Sequence, residues 1–470
     1  MKEILILLLI VLGTCKFPKK FEFGVSTAAF QIEGAWLADN KSLSIWDNLA
    51  HSGLVVANST DPDIGDDSYN KYLEDIALMK DYGIKNYRMS IAWTRIVPNG
   101  TNGSRVNQKG IDHYKKLFRD LTRAGITPYV TLYHNDMPAY LYIQGTGYTD
   151  PDFIEDFKYY ADVCFKEFGD LVKYWFTFNE PWVLAVLDEY TPEEVMTKPY
   201  DIGHALLLAH AHTVKLYREK YQNQQKGKIG WVFNAEMYFP KDVNKKEDVE
   251  AAERALMFQL DWFCEPMFSG DYPQKMKEII NADGKGRMKS FTEAEKNLLK
   301  GSMDFYALNH YFTWLAEPAR KTGAGFDYDR NVNLTFDSNW NQTDMEWSIV
   351  PEGLHRLIMY IHGKWLNNTN MELFITENGA AIKNESDINS IKIDKARIEY
   401  LHGYLGAVEE AIIKGVNITK YFVWSLLDNF EWGSGFSKKF GIVRVELDKN
   451  AKRIAKGSMK WYSELIKDLL

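Results

Sequence analysis

Apolar positions along the chain fall into two alternating patterns. Short apolar, β-rich runs recur at 23–29, 86–93, 128–133, 174–178, 228–233, 304–308, 372–376 and 419–424, several of them nearly all apolar or β-branched. Runs of this length without polar alternation predict strands buried on both faces, as in a parallel sheet. Between them, apolar residues step by three and four along 72–82, 108–124, 153–168, 204–222 and 393–414, which predicts amphipathic helices. Gly83, Gly125 and Gly415 follow three of these stretches and are placed to cap their C-termini.

Eight strand runs alternating with helical stretches over one uninterrupted chain predict an α/β fold, a (β/α)8 TIM barrel in a single domain. The long segments between the fourth and seventh runs predict insertions on the C-terminal face. A doubly wound open sheet is the competing reading. The glycine-rich GxGxxG turn expected of its dinucleotide-binding form is absent from the sequence.

Composition narrows the partners. The 470 residues are 46 % hydrophobic and 26 % charged, which excludes wholesale disorder and coiled coil. The net charge of −8 comes without a basic stripe, so no nucleic-acid partner is expected. The expected partner is a small-molecule substrate. The protein is expected to act without a cofactor and as a monomer or homodimer. Aromatic residues reach 14 %, and the flat apolar faces of Trp and Tyr suit sugar rings as well as a core.

The chain starts Met-Lys-Glu, continues as an apolar run over 4–12 and reaches small residues at Gly13, Thr14 and Cys15. This predicts a signal peptide over 1–15, with the barrel over 16–470 and a secreted protein. The run is too short to span a bilayer and no other is long enough, so no membrane partner is expected. Sequons at Asn58, Asn99, Asn102, Asn333, Asn341, Asn367, Asn384 and Asn417 agree with a secreted glycoprotein. Cys164 and Cys264 either pair or stay as buried thiols. With no CxxC and no HExxH, no metal site is predicted, and His204, His210 and His212 read as helix packing.

In a barrel, residues just past the strand ends face the active site. Polar residues gather there: Gln31, Arg88, His134, Asn179-Glu180, Asn309-His310-Tyr311, Glu377, and Trp424 with Glu431 and Trp432 beyond it. Glu180 and Glu377 stand at the ends of strands four and seven, across the barrel mouth. Glycoside hydrolysis needs such a pair, one acid to protonate the leaving oxygen and one carboxylate to attack the sugar carbon.

These residues carry a resemblance. TFNEP at 177–181, ITENG at 375–379 and FEFGVSTAAFQIEGAW at 21–36 resemble glycoside hydrolase family 1, the β-glucosidase family. YRMSIAWTR at 87–95, YHNDMP at 133–138, NHY at 309–311 and VWSLLDNFEW at 423–432 are similar to its other blocks. The resemblance implies a secreted, animal-type, retaining hydrolase of O-linked β-D-glucosides, with Glu180 as general acid/base and Glu377 as nucleophile. It implies that Arg88 and Tyr311 hold Glu377. It also implies that Asn179 meets the 2-hydroxyl, that Gln31, His134, Glu431 and Trp432 bind other hydroxyls, that Trp424 underlies the ring and that Phe440 closes the pocket near position 6. Asn135 and Met137 depart from the family's YHWDLP block, which bears on the contact to the 3-hydroxyl. The segment from Trp182 to His204 lacks the usual Gly-rich stretch.

Two other functions fit parts of this pattern. A thioglucosidase acting on glucosinolates would use cations for the sulfate, and Arg320, Lys321 and Lys198 lie in the loops that could supply them. A non-catalytic sugar-binding barrel would lose one catalytic Glu, and this chain has both. The aromatic start of the loop after strand six, Tyr311-Phe312-Thr313-Trp314, predicts an apolar aglycone.

Overall fold

A computed structural model describes residues 17–53, 62–144, 147–186, 196–321, 323, 325–383, 385 and 387–468. The expected signal peptide and the sequons at Asn58 and Asn384 lie outside the described residues.

Eight strands close a parallel barrel in chain order: β1 (Glu22–Ser26), β2 (Asn86–Ser90), β3 (Thr127–Tyr133), β4 (Tyr174–Asn179), β5 (Lys228–Asn234), β6 (Tyr306–Asn309), β7 (Leu373–Asn378) and β8 (Ile418–Trp424). β8 pairs back to β1 with Glu22 beside Lys420 and Ser26 beside Trp424, so no edge is left open. Each strand lies within a few residues of its predicted run. The largest misses are at β1 and β2, which end three residues early because Ala29–Ile32 and Trp93–Ile96 turn into short helices.

Helices follow the strands: α1 (Ser68–Asp81), α2 (Gln108–Arg123), α3 (Phe153–Phe168), α4 (Lys198–Tyr217), α5 (Lys246–Leu256), α6 (Pro351–Ile361), α7 (Lys395–Ile413) and α8 (Gly457–Asp468). α2 lays one stripe on the barrel, burying Ile111, Tyr114, Leu117, Phe118 and Leu121 at three- and four-residue steps. Gly83, Gly125 and Gly415 take left-handed φ of 75°, 77° and 95°, as the C-cap positions require. α4 starts six residues before the predicted helix, where Pro199 occupies the first turn that its missing N–H suits. Asp394, at φ 48°, breaks Ile388–Ile393 from α7, so the predicted 393–414 helix begins two residues late.

The barrel interior is filled by Tyr129, Phe176, Val232, Phe305, Ala307, Phe374 and Phe422. Phe305 and Phe374 stack at 4.6 Å. Above this layer Arg88 lies with its guanidinium 5.5 Å from the Phe176 ring. The apolar plug therefore ends where the polar site begins. The two free cysteines, Cys164 and Cys264, are buried and unpaired. His210 bonds Thr177 at 2.7 Å and the Ser302 carbonyl at 2.8 Å, and His204 stacks on Phe291 at 4.6 Å, so both serve helix packing.

Insertions build the rim. Met237–Pro240, Thr313–Pro318 and Val332–Thr335 form a three-stranded sheet from the segments after β5 and β6. The loop after β8 is pinned by Lys456, whose Nζ meets Asp428 at 2.8 Å and Glu385 at 2.5 Å. Among the described residues no helix is long and apolar enough to cross a membrane.

Removing the ring that fills the barrel centre tests this packing. Phe422→Ala should cost about 3–5 kcal/mol, because a rigid barrel cannot collapse onto the void. A lowered urea midpoint at unchanged spectroscopic fold is expected; a midpoint unmoved by the change would contradict a close-packed interior.

Candidate active site

Both carboxylates are aimed by irregular strand ends. In β4 the register against β5 shifts between Phe176 and Asn179, and in β7 the register against β6 shifts between Ile375 and Glu377. Such bulges turn a side chain out of the pleat toward the barrel mouth. Glu180 then takes a left-handed backbone at φ 52°, held by its N–H donating to the Val232 carbonyl at 3.0 Å. That is an uncommon conformation for a non-glycine residue, and such backbone gathers at functional sites. Gly379 closes ITENG because a Cβ there would sit 1.7 Å from the Trp424 carbonyl oxygen.

Arg88 is fully buried and joins three strands. Its guanidinium donates to Glu377 Oε1 at 2.5 Å and to Asn179 Oδ1 at 2.7 Å. Tyr311 donates its hydroxyl to Glu377 Oε2 at 2.6 Å, so both oxygens of this carboxylate are held. Burial first, then the charge of Glu377, pushes the Tyr311 hydroxyl well above its ordinary range, which keeps it a donor. Asn309 donates to Glu180 Oε1 at 2.8 Å and to Asn179 Oδ1 at 3.1 Å, while Thr376 donates to its carbonyl at 2.7 Å. Asn309 is the residue the motif reading passed over; it stood in the NHY triplet, but its link to Glu180 depends on the β6 register.

The two carboxylates differ in environment. Burial, then the charge of Glu377, lifts the Glu180 carboxyl to about 8. Burial and then Glu377 likewise lift Glu431 to about 8. His134 is driven well below its ordinary value by burial and then by Arg88, which keeps the ring neutral.

These residues open onto one cavity of about 970 Å³. Glu180, Glu377, Asn179, His134, Asn309, Tyr311, Trp424, Glu431, Trp432 and Phe440 all line it. Trp424 and Trp432 lie nearly parallel to the His134 ring, at 5.7 Å and 6.0 Å. Phe440 packs with Trp424 and Ala28 at the far side. Gln31 sits behind the wall. Its amide nitrogen donates to Asn429 at 3.1 Å, the Phe430 carbonyl at 3.0 Å and Glu431 at 3.3 Å, and its buried Oε1 has no protein partner. Asn135 lines the cavity in a left-handed turn at φ 58°, which Asn tolerates well. Met137 is buried in the core away from the cavity.

The loop cations are placed differently from expectation. Arg320 and Lys321 are exposed outside the cavity wall, Lys321 3.6 Å from Asp327. Lys198 begins α4, also outside the wall. Among the described residues lining the cavity, Arg330 is the one Lys or Arg. The cavity is also lined by Trp314 of the aromatic loop after β6 and by Trp182, Asn234, Glu236, Tyr238 and Leu334, to which no motif gave a role.

Comparison with known proteins places the chain. The model of glycosyl hydrolase family 1 matches residues 14–469. β-Glucosidase 40 of Arabidopsis thaliana is 40 % identical over 485 residues, covering 96 % of this chain and 92 % of its own. The crystal structure of a rice β-glucosidase superposes with a TM-score of 0.90 at 36 % identity, covering 96 % of this chain and 98 % of that one. An aphid myrosinase structure gives 0.89 at 38 % identity, covering 96 % and 99 %. On a closed eight-stranded barrel with two carboxylates at one mouth, these likenesses agree: the chain belongs to glycosyl hydrolase family 1 and is a glycoside hydrolase.

Proposed function

We propose that the chain is a secreted, N-glycosylated, retaining β-glucosidase that hydrolyses terminal β-D-glucosides with oxygen-linked aglycones. One observation carries the mechanism. Glu377 is gripped through both oxygens by Arg88 and Tyr311 and faces the same cavity as Glu180, whose carboxyl is lifted to about 8.

In the first step a Glu377 oxygen attacks the anomeric carbon and the C1–O bond breaks. Glu180 gives its proton to the departing aglycone oxygen, leaving a glucosyl ester on Glu377. In the second step Glu180, now a carboxylate, takes a proton from water as the water oxygen displaces Glu377 from C1. The product is glucose with its β configuration, and both side chains return to their first state. Arg88 and Tyr311 hold the attacking oxygens in line, so little reorganisation accompanies the step.

For the sugar, Asn179 serves the 2-hydroxyl, with its carbonyl already fixed by Arg88 and Asn309. His134, Glu431 and Trp432 serve other hydroxyls, Gln31 orients Glu431, and Trp424 lies under the ring. Asn135 offers an amide N–H where the family has an indole N–H, with a shorter reach. Secretion draws on the apolar run at 4–12 and on six described sequon asparagines, Asn99, Asn102, Asn333, Asn341, Asn367 and Asn417, all exposed. The animal-type assignment has the aphid likeness in its support, while the plant relative matches as closely. Arg330 in the wall favours the thioglucosidase as second reading; the retained acid Glu180 ranks it below the first.

A 2-fluoro glucoside with a good leaving group should label Glu377, located by mass spectrometry of the peptides; a label elsewhere would remove its role. Glu180→Gln should lower turnover of alkyl glucosides by about 10²–10⁴-fold and the glycosylation step of dinitrophenyl glucosides far less. Equal losses would mean that Glu180 supplies no proton.

The pH dependence has a definite sign. The acid must carry its proton, and its raised pKa of about 8 keeps it protonated below that pH. kcat/KM should therefore fall as pH rises through about 8, with one proton lost. The limb should persist in Glu431→Gln; its disappearance there would assign the proton to Glu431.

A further inference from the structure

Among its described lining residues the cavity holds one Lys or Arg, Arg330. Arg330 ends the short helix Phe326–Arg330 and lines the cavity with its side chain 13 % exposed. One of its amino groups donates to Asp327 at 2.7 Å, but that carboxylate is 63 % exposed. A pair so open to water is screened and neutralises little. The buried Arg330 Nε has no hydrogen-bond partner. The buried indole N–H of Trp182, which also lines the cavity, has none either.

The two donors share a support. The Phe326 ring lies 5.5 Å from the Arg330 guanidinium and 6.1 Å from the Trp182 ring. Guanidinium and indole can only donate, so what completes them is an acceptor. A buried donor left unmade is costly, and a charged donor prefers an anionic partner.

Arg330 is also held still. Asp329 beside it is buried and takes two bonds from Arg287, at 2.6 and 2.7 Å, and one from Tyr200 at 2.6 Å. Arg254 donates to the Arg330 carbonyl at 2.6 Å and to the Asn331 carbonyl at 3.2 Å. These contacts fix the backbone on both sides of the residue, so little ordering is lost when a ligand binds. Glu236, which also lines the cavity, is hydrogen-bonded to Gln259. Burial raises its carboxyl above the usual range, while the bond from Gln259 and the charge of Arg330 act the other way.

We infer that Arg330, supported by Trp182, is a specificity-determining residue that selects aglycones carrying an oxyanion, a carboxylate or a sulfonate-type group, on the part remote from the glycosidic bond. This rests on the glycosidase reading of the site and adds the class of leaving group it takes. The prior expectation of a wholly apolar aglycone then holds only for the stretch against Trp314, Phe312 and Leu334.

The test uses the full chain and three substrates: 4-carboxyphenyl β-glucoside, its methyl ester and 4-sulfophenyl β-glucoside. Leaving-group differences cancel when each variant is compared with the parent enzyme on the same substrate. In Arg330→Gln the ratio of kcat/KM for acid over ester should fall by about tenfold or more, and in Arg330→Lys by less. Trp182→Phe, which keeps a ring without the donor, should lower the ratio by a smaller factor. Added salt should compress the ratio in the parent enzyme. The sulfophenyl arm shows which oxyanion is preferred; a loss on it alone would narrow the class to sulfonate and sulfate. An acid-to-ester ratio within twofold of the parent in both Arg330 variants, with no sulfophenyl loss, would overturn the inference, as would equal losses on acid and ester. Turnover of 4-nitrophenyl β-glucoside is measured beside these. Its absence in the parent would overturn the glycosidase reading, whereas its presence with a flat ratio would overturn only the role of Arg330.

Discussion

The buried guanidinium of Arg88 is the constraint on which the rest of the molecule depends. A charge inside a protein is tolerated only when paired, and removing one partner of a buried pair costs on the order of 3–5 kcal/mol. Arg88 rises from β2, rests above Phe176 in the aromatic plug and reaches Glu377 on β7 and Asn179 on β4. Three strands from opposite parts of the barrel are thereby tied at one point. The pairing that neutralises the charge also positions the carboxylate proposed to attack the sugar. Fold and chemistry share one interaction, so the mouth of this barrel is stiff where a covalent step needs alignment.

The difference between the two carboxylates follows from that arrangement. Glu377 has its oxygens filled by a cation and a phenol. Glu180 receives a single neutral amide donor from Asn309 and stands in the field of Glu377. The surroundings of Glu180 favour its protonated form, as the proposed role of acid requires. The strained backbone at Glu180 and the register shifts in β4 and β7 are the local cost of aiming both groups inward.

Much of this was legible in the residues. The barrel strands announced themselves as short two-sided apolar runs, since a parallel strand covered by helices has no wet face to encode. Glu180 and Glu377 were legible because strand ends in a barrel converge on one mouth. The bond of Asn309 to Glu180 was not, because it depends on how β6 lies against β5, and register leaves little trace in single-strand composition. Gln31, read as binding a sugar hydroxyl, bonds Glu431 through its amide nitrogen and keeps a buried Oε1 without a protein partner, a detail the motif does not carry. The cations were read from proximity along the chain, which pointed to Arg320 and Lys321; the insertion folds so that Arg330, ten residues on, faces the cavity. Loop insertions carry no periodicity that would have told these apart.

The central claim is that Glu377 forms a bond to the sugar and that water later displaces it from the face the aglycone left. The stereochemistry of the first-formed product reads this most directly. Proton NMR of a fast reaction on 4-nitrophenyl β-glucoside should show the β-anomer of glucose appearing first, with the α-anomer growing only by mutarotation. Initial appearance of the α-anomer would mean a single displacement by water, and would contradict the account.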